Sequence, residues 1–139
     1  MRIYKTEDIE QCLKIRYEVF VDEQKVPFEL EKDENDSPEA ACDHFIIEDE
    51  NGAAGTFRCT IENGDTIHLQ RLCIKKSRRG CGYGRAALAF AESYYPGMKK
   101  ITLGAQCQAI PFYEKCGLTV VSDIFDDAGI PHRTMEKLL

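Results

Sequence analysis

From Thr66 to Tyr95 the chain passes from an apolar strand pattern, TIHLQRLCI, through a basic glycine turn, KKSRRGCGYGR, directly into a helical pattern, AALAFAESYY. The turn contains Arg79-Gly80-Cys81-Gly82-Tyr83-Gly84, an Arg-x-x-Gly-x-Gly run. Glycine lets a backbone approach a ligand closely and take positive φ. A helix that begins straight after it leaves several N–H donors unpaired at the positive end of a helix dipole. Such a place suits a pyrophosphate. Lys75, Lys76, Arg78, Arg79 and Arg85 gather there in a chain of net charge −6. The expected occupant is an anion, as part of a nucleotide-bearing cofactor.

Spacing excludes two other glycine-loop chemistries. A P-loop requires Lys-Ser/Thr after its last glycine, whereas Arg85-Ala86 follows Gly84. A dinucleotide fold requires Gly-x-Gly-x-x-Gly and an acid roughly 20 residues later. Here the turn is Gly80-x-Gly82-x-Gly84, and the downstream strand KKITLGAQ has no acid. That strand leads to a short helix, AIPFYEKCG, which Gly117 closes as a C-terminal cap, and LTVV returns as a strand.

A glycine turn between strand and helix, followed by a strand, a Phe112-Tyr113 helix, Gly-Leu and another strand, resembles the GNAT acetyltransferases. The segments IRYEVFVDEQKVPFELEKDEND, DHFIIED, QRLCI and AGIPHRTMEK are similar to the ElaA-like branch, so the resemblance runs from Ile15 to Lys137. It implies an α/β (mixed α+β) acyl-CoA N-acyltransferase fold. The expected sheet is central, mostly antiparallel, six to seven strands wide and splayed in the middle, with about four helices on both faces. A single domain over residues 1–139 is expected.

The reaction implied is acetyl transfer from acetyl-CoA to a primary amine of a small molecule or peptide, directly within a ternary complex. The resemblance assigns the diphosphate to the turn Arg79, Gly80, Cys81, Gly82, Tyr83, Gly84 and Arg85. The pantetheine arm would pair along Leu72-Cys73-Ile74, with the N–H of Cys73 or Ile74 stabilising the developing oxyanion. Gln106 stands where many members of the family have asparagine near the cofactor. Tyr113 would assist departure of the thiolate, and His132, in Gly129-Ile130-Pro131-His132, would take the proton from the amine. His44 is a second candidate base, although core packing suits it better; His68 reads as structural or exposed. A carboxylate acting through water also stays open. An acyl-CoA-binding sensor or interaction module without catalysis is the competing reading, and it has no need of Tyr113 or His132.

Cys73 and Cys107 raise a covalent route through a thioester, but no cation lies beside either in sequence, so direct transfer is favoured. Arg71 sits inside an apolar strand and needs a partner: an internal acid such as Glu18 or Glu23, or an anion on the substrate. Residues 22–41 hold eight acids against Lys25 and Lys32, which accounts for the whole negative excess. That stretch reads as a solvated loop, with a cation-attracting rim for the acceptor as the alternative. Overall acidity argues against nucleic acid. No apolar run reaches membrane-span length, and seven cysteines without a Cys-x-x-Cys pair argue against disulfides and zinc. A cytoplasmic protein with reduced thiols and no metal is expected. Many members of the family form homodimers through C-terminal strands; no residue here decides it.

Overall fold

The structure, a computed structural model, describes residues 1–139. Eight strands form one mixed sheet: β1 (Arg2–Thr6), β2 (Asp43–Asp49), β3 (Gly52–Glu62), β4 (Thr66–Ile74), β5 (Lys100–Gln106), β6 (Thr119–Val120), β7 (Phe125–Asp127) and β8 (Ile130–Leu138). Their order is β1-β2-β3-β4-β5-β8-β6, with β7 also paired to β8. Only β4 and β5 run parallel, because α3 (Tyr83–Tyr94) crosses over between them. The other helices are α1 (Ile9–Arg16), α2 (Phe28–Glu31) and α4 (Ile110–Lys115). The sheet is therefore wider than the six to seven strands expected. The strand missed is β7, whose three residues are all exposed and carry no alternating pattern; it returns into β8 through Ala128 and Gly129, both at positive φ.

Alternation along each strand divides two apolar layers. On β2, Phe45 and Ile47 join the larger core with Phe57, Leu69, Leu103 and the α3 residues Ala87, Leu88 and Ala91. Ile46, between them, faces Cys12, Ile15 and Val19 on the opposite side, with Cys73. Helices thus cover both faces.

Thr6 ends β1, and its hydroxyl accepts from the Asp8 N–H; Asp8 caps α1, accepting from Gln11 N at 3.1 Å. After Arg16 the helix widens into a π-helical stretch, Tyr17–Glu23. Such wide turns re-aim the side chains beyond them, and Glu23 at its end reaches Arg79. The acidic stretch is not simply solvated. Glu31 and Asp36 are buried and Asp33 half-buried, all three bound to arginines of other elements.

Candidate active site

Strands β4 and β5 pair over only three positions, Thr66↔Lys100, Ile67↔Ile101 and His68↔Thr102. Beyond them β4 stays with β3, while β5 follows β8 as far as Gln106↔His132. A wedge opens between the two strands, as the family resemblance implied. A bulge in β4 contributes to it. Arg58 pairs with Gln70 and Thr56 with Cys73, so Phe57 alone faces both Arg71 and Leu72. Arg71 takes φ 55 there, a left-handed backbone that costs a non-glycine residue about 1–3 kcal/mol. Gly55 makes the close approach of β3 feasible, since a Cβ there would lie 2.5 Å from the Cys73 carbonyl oxygen.

The direction of the β4 backbone groups follows from one bond. Lys75 N–H donates to Ala54 O at 2.8 Å, so Cys73, two residues earlier, also points at β3. Ile74 between them points into the wedge, where its carbonyl accepts from Arg79 Nε at 3.0 Å. Of the two N–H groups expected for an oxyanion, only that of Ile74 faces the open side.

The glycine turn lies beyond Ile74. Gly80 and Gly82 take φ 80 and 81, with open space where a Cβ would stand. Gly82 is the N-cap of α3 and offers no side chain, leaving the first N–H groups of the helix free for a ligand. Gly84 does different work. It lies inside the first turn of α3, and a Cβ there would meet the Phe112 ring at 3.0 Å, so this glycine seats α4 against α3. Tyr83 anchors the turn to β2 through Asp49 at 3.0 Å, and Arg85 donates to the Lys115 carbonyl. Cys81 is exposed. Arg79 is bidentate to Glu23, at 2.5 and 2.8 Å.

A cleft of about 1300 Å³ runs along the wedge from the glycine turn past Leu72 and Ile74 to His132 and Arg71. Small-ligand sites usually occupy roughly 300–1,000 Å³, so this one has room for two reactants. Tyr113 lines it, and no side chain or backbone group pairs with its hydroxyl. Burial pushes its pKa up to about 12. The phenol therefore stays protonated near neutrality, as a hydrogen-bond donor. Complete proton transfer to a thiolate of ordinary pKa is more uphill than an unperturbed phenol would make it. His132 also lines the cleft, stacked on Phe125 with ring centroids 5.9 Å apart. Its Nδ1 lies 2.7 Å from the Ile130 carbonyl, which can only accept. Nδ1 thus carries the hydrogen, and Nε2 is left as the basic nitrogen of the neutral ring. Gln106 donates to Gln24 at 2.8 Å and accepts from Gln108, so its amide is tied across the cleft wall.

The remaining candidates separate clearly. His44 is buried, its Nε2 bonds Asn35 O at 3.1 Å, burial lowers its pKa, and it does not line the cleft. His68, expected to be structural or exposed, lines the cleft and bonds Glu62 at 2.6 Å. Burial raises the Cys73 thiol strongly, which leaves no thiolate for a covalent route. Arg71 does form an internal ion pair, but with Glu31 at 3.1 Å and Asp33 at 3.5 Å, not with Glu18 or Glu23. No group of three potential metal ligands occurs. No helix is long and apolar enough to cross a membrane.

The model of the acetyltransferase (GNAT) domain matches residues 4–139. YjcF of Bacillus subtilis, described as an uncharacterized N-acetyltransferase, is 37% identical over 94% of this chain and 93% of its own. The crystal structure of Escherichia coli ElaA superposes with a TM-score of 0.80 at 20% identity, covering 99% of each chain. A solved aminoglycoside 6'-N-acetyltransferase complexed with coenzyme A superposes at 0.70 with 16% identity, covering 99% of this chain and 97% of the other.

Proposed function

The chain belongs to the GNAT acetyltransferase family and is an N-acetyltransferase; within that activity we propose direct transfer from acetyl-CoA to a primary amine in a ternary complex. The observation that carries this reading is the wedge between β4 and β5, which places a free strand edge between the glycine turn and the Tyr113 and His132 side chains. Acetyl-CoA supplies the activated acetyl group and the thiol leaving group, and the chain's own residues do the rest.

The turn Arg79–Gly84 and the unpaired N–H groups at the start of α3 hold the diphosphate, with Arg79 exchanging Glu23 for phosphate oxygens. The exposed edge of β4 at Leu72–Ile74 pairs with the amides of the pantetheine arm, as an added strand would. Ile74 N–H faces the acetyl carbonyl and stabilises charge developing on its oxygen. Tyr113 donates a hydrogen bond to the departing sulfur. His132 Nε2 accepts the proton of the attacking amine, while Ile130 O holds the ring in the required tautomer. Gln106 orients the end of the cleft beside these groups. The domain acts as one unit over residues 1–139, and a cytoplasmic, thiol-reducing setting agrees with its seven free cysteines.

Release of free thiol from acetyl-CoA in the presence of an amine panel tests the proposal. The expected result is amine-dependent release that is lost in His132→Ala and falls sharply in Tyr113→Phe. Release of equal rate with and without amine would overturn it.

A further inference from the structure

Three arginines meet three carboxylates beside the cleft, and two of the arginines are each held by four hydrogen bonds. Arg16 makes four hydrogen bonds of 2.6–3.0 Å, to Glu31 and Asp36. Arg58 makes four of 2.8–3.0 Å, to Asp33, Asp36 and Gln70. Arg71 differs. Its Nη2 reaches the Glu31 carbonyl at 3.3 Å and Asp33 at 3.5 Å, both beyond the usual 2.7–3.2 Å range. Its Nε is 3.1 Å from Glu31 but misaligned, and it is the one buried side-chain nitrogen or oxygen in the molecule without a hydrogen-bond partner. Its Nη1 makes no hydrogen bond within the protein. A guanidinium carries five N–H donors in a fixed fork, and most of this one's have no partner in the protein.

The position of Arg71 makes that surplus meaningful. It lines the cleft, stands three residues before Ile74 on β4, and is carried by the left-handed bulge residue. Strained backbone persists where surrounding structure holds a side chain to a task. The nearby acids do not compete for a cationic acceptor. Asp33 is clamped from both oxygens by Arg58, and Glu31 is shared by Arg16 and Arg71. The acidic segment therefore does not present a negative rim at this point; its charge is already used.

We infer that Arg71 reads an oxyanion on the acceptor, so that the substrate is an amine bearing a carboxylate or phosphate group. This rests on the transferase reading above and narrows it to a substrate class. The planar fork pairs with two oxygens of such a group and positions the amine toward Ile74 and His132.

The test is thiol release from acetyl-CoA with matched acceptors: glycine and glycinamide, β-alanine and β-alaninamide, phosphoethanolamine and ethanolamine, and spermidine as a cationic control. An anionic member should exceed its neutral partner at least tenfold in kcat/KM. The ratio should shrink to within twofold in Arg71→Gln and be retained in part by Arg71→Lys, with acetyl-CoA affinity unchanged in both. A gain confined to the carboxylate pairs identifies an amino-acid-like acceptor; one confined to phosphoethanolamine identifies a phosphorylated amine. Neutral or cationic amines used as well as anionic ones, or a ratio that survives Arg71→Gln, would overturn the inference and leave the transferase reading intact. If acetyl-CoA binds but no amine turns over, titrating the CoA-saturated protein with N-acetylglycine against N-acetylglycinamide decides it, and equal affinity overturns it. Failure to bind acetyl-CoA would sink the transferase reading instead; the same two titrations on the free protein would then judge Arg71 separately.

Discussion

Asp36→Asn should destabilise this protein more than any surface change in the acidic segment. The carboxylate is fully buried and accepts from Arg16 Nη1 at 2.6 Å, Arg16 Nη2 at 3.0 Å, Arg58 Nη1 at 3.0 Å and Asp33 N at 3.0 Å. Asparagine keeps the shape, removes the charge, and turns an N–H₂ group toward arginine donors. Breaking a buried pair by removing one partner costs about 3–5 kcal/mol. For a chain of this size each kcal/mol lowers Tm by about 3–4 °C, so a fall of roughly 9–20 °C is expected near pH 7. The acid response gives a second handle. Burial alone would raise the Asp36 carboxyl, but the Arg16 and Arg58 contacts hold it far below the usual range, and Arg58 does the same, less strongly, for half-buried Asp33. A depressed carboxylate contributes stability above its unfolded pKa and loses it as pH falls through the folded one. Glu31 runs the other way: burial raises it, so protonation relieves it and it adds nothing to acid unfolding. The native protein should therefore lose stability below about pH 4, and the gap between native and Asp36→Asn should narrow there. Thermal melts at pH 7, 5, 4 and 3 read both effects. A variant melting within 3 °C of native at pH 7, or a gap that widens in acid, would refute the reasoning.

Tyr113→Phe removes an unpaired donor, so stability should hold while kcat falls about 10- to 100-fold, a charge-assisted hydrogen bond being worth about 1.5–3 kcal/mol; thiol-release kinetics beside a melt would show this, and kcat within twofold of native would end the assignment. His132→Gln should lower kcat by roughly 100-fold or more with acetyl-CoA affinity unchanged, measured by the same kinetics and by calorimetry. Glu23→Gln frees Arg79 from a half-exposed pair worth about 0–1 kcal/mol, so acetyl-CoA should bind up to about fivefold tighter; weaker binding would show that Glu23 organises the turn instead of competing with the ligand.

The geometry of the candidate site was legible where one local pattern carried it. The strand, glycine turn and helix from Thr66 to Tyr94 are contiguous, and positive φ at Gly80 and Gly82 matches what glycine there implies. The role of Gly84 was not legible, because its constraint is the ring of Phe112, 28 residues away in sequence. Nor could spacing orient Cys73 and Ile74: the bulge at Arg71 resets which backbone groups face β3. The ionic cluster draws on Arg16, Glu31, Asp33, Asp36, Arg58 and Arg71, from four separate segments, so no window of sequence contains it. One signal was present. Arg16 occupies an apolar position on α1, in step with Cys12 and Leu13, and a charge on a buried stripe requires buried partners. The acids that meet it were the nearest supply, in the segment that reads as solvated.

The wedge and glycine turn are proposed to hold acetyl-CoA. Calorimetric titration of the purified protein with acetyl-CoA, alongside Gly82→Glu, tests this most directly. Gly82 sits at φ 81 as the N-cap of α3, so glutamate there adds both backbone strain and a negative charge where the diphosphate is proposed to bind. Saturable binding by the native protein and its loss in a folded Gly82→Glu variant is the predicted result. Equal binding by both proteins, or none by the native protein at millimolar acetyl-CoA, would contradict the account.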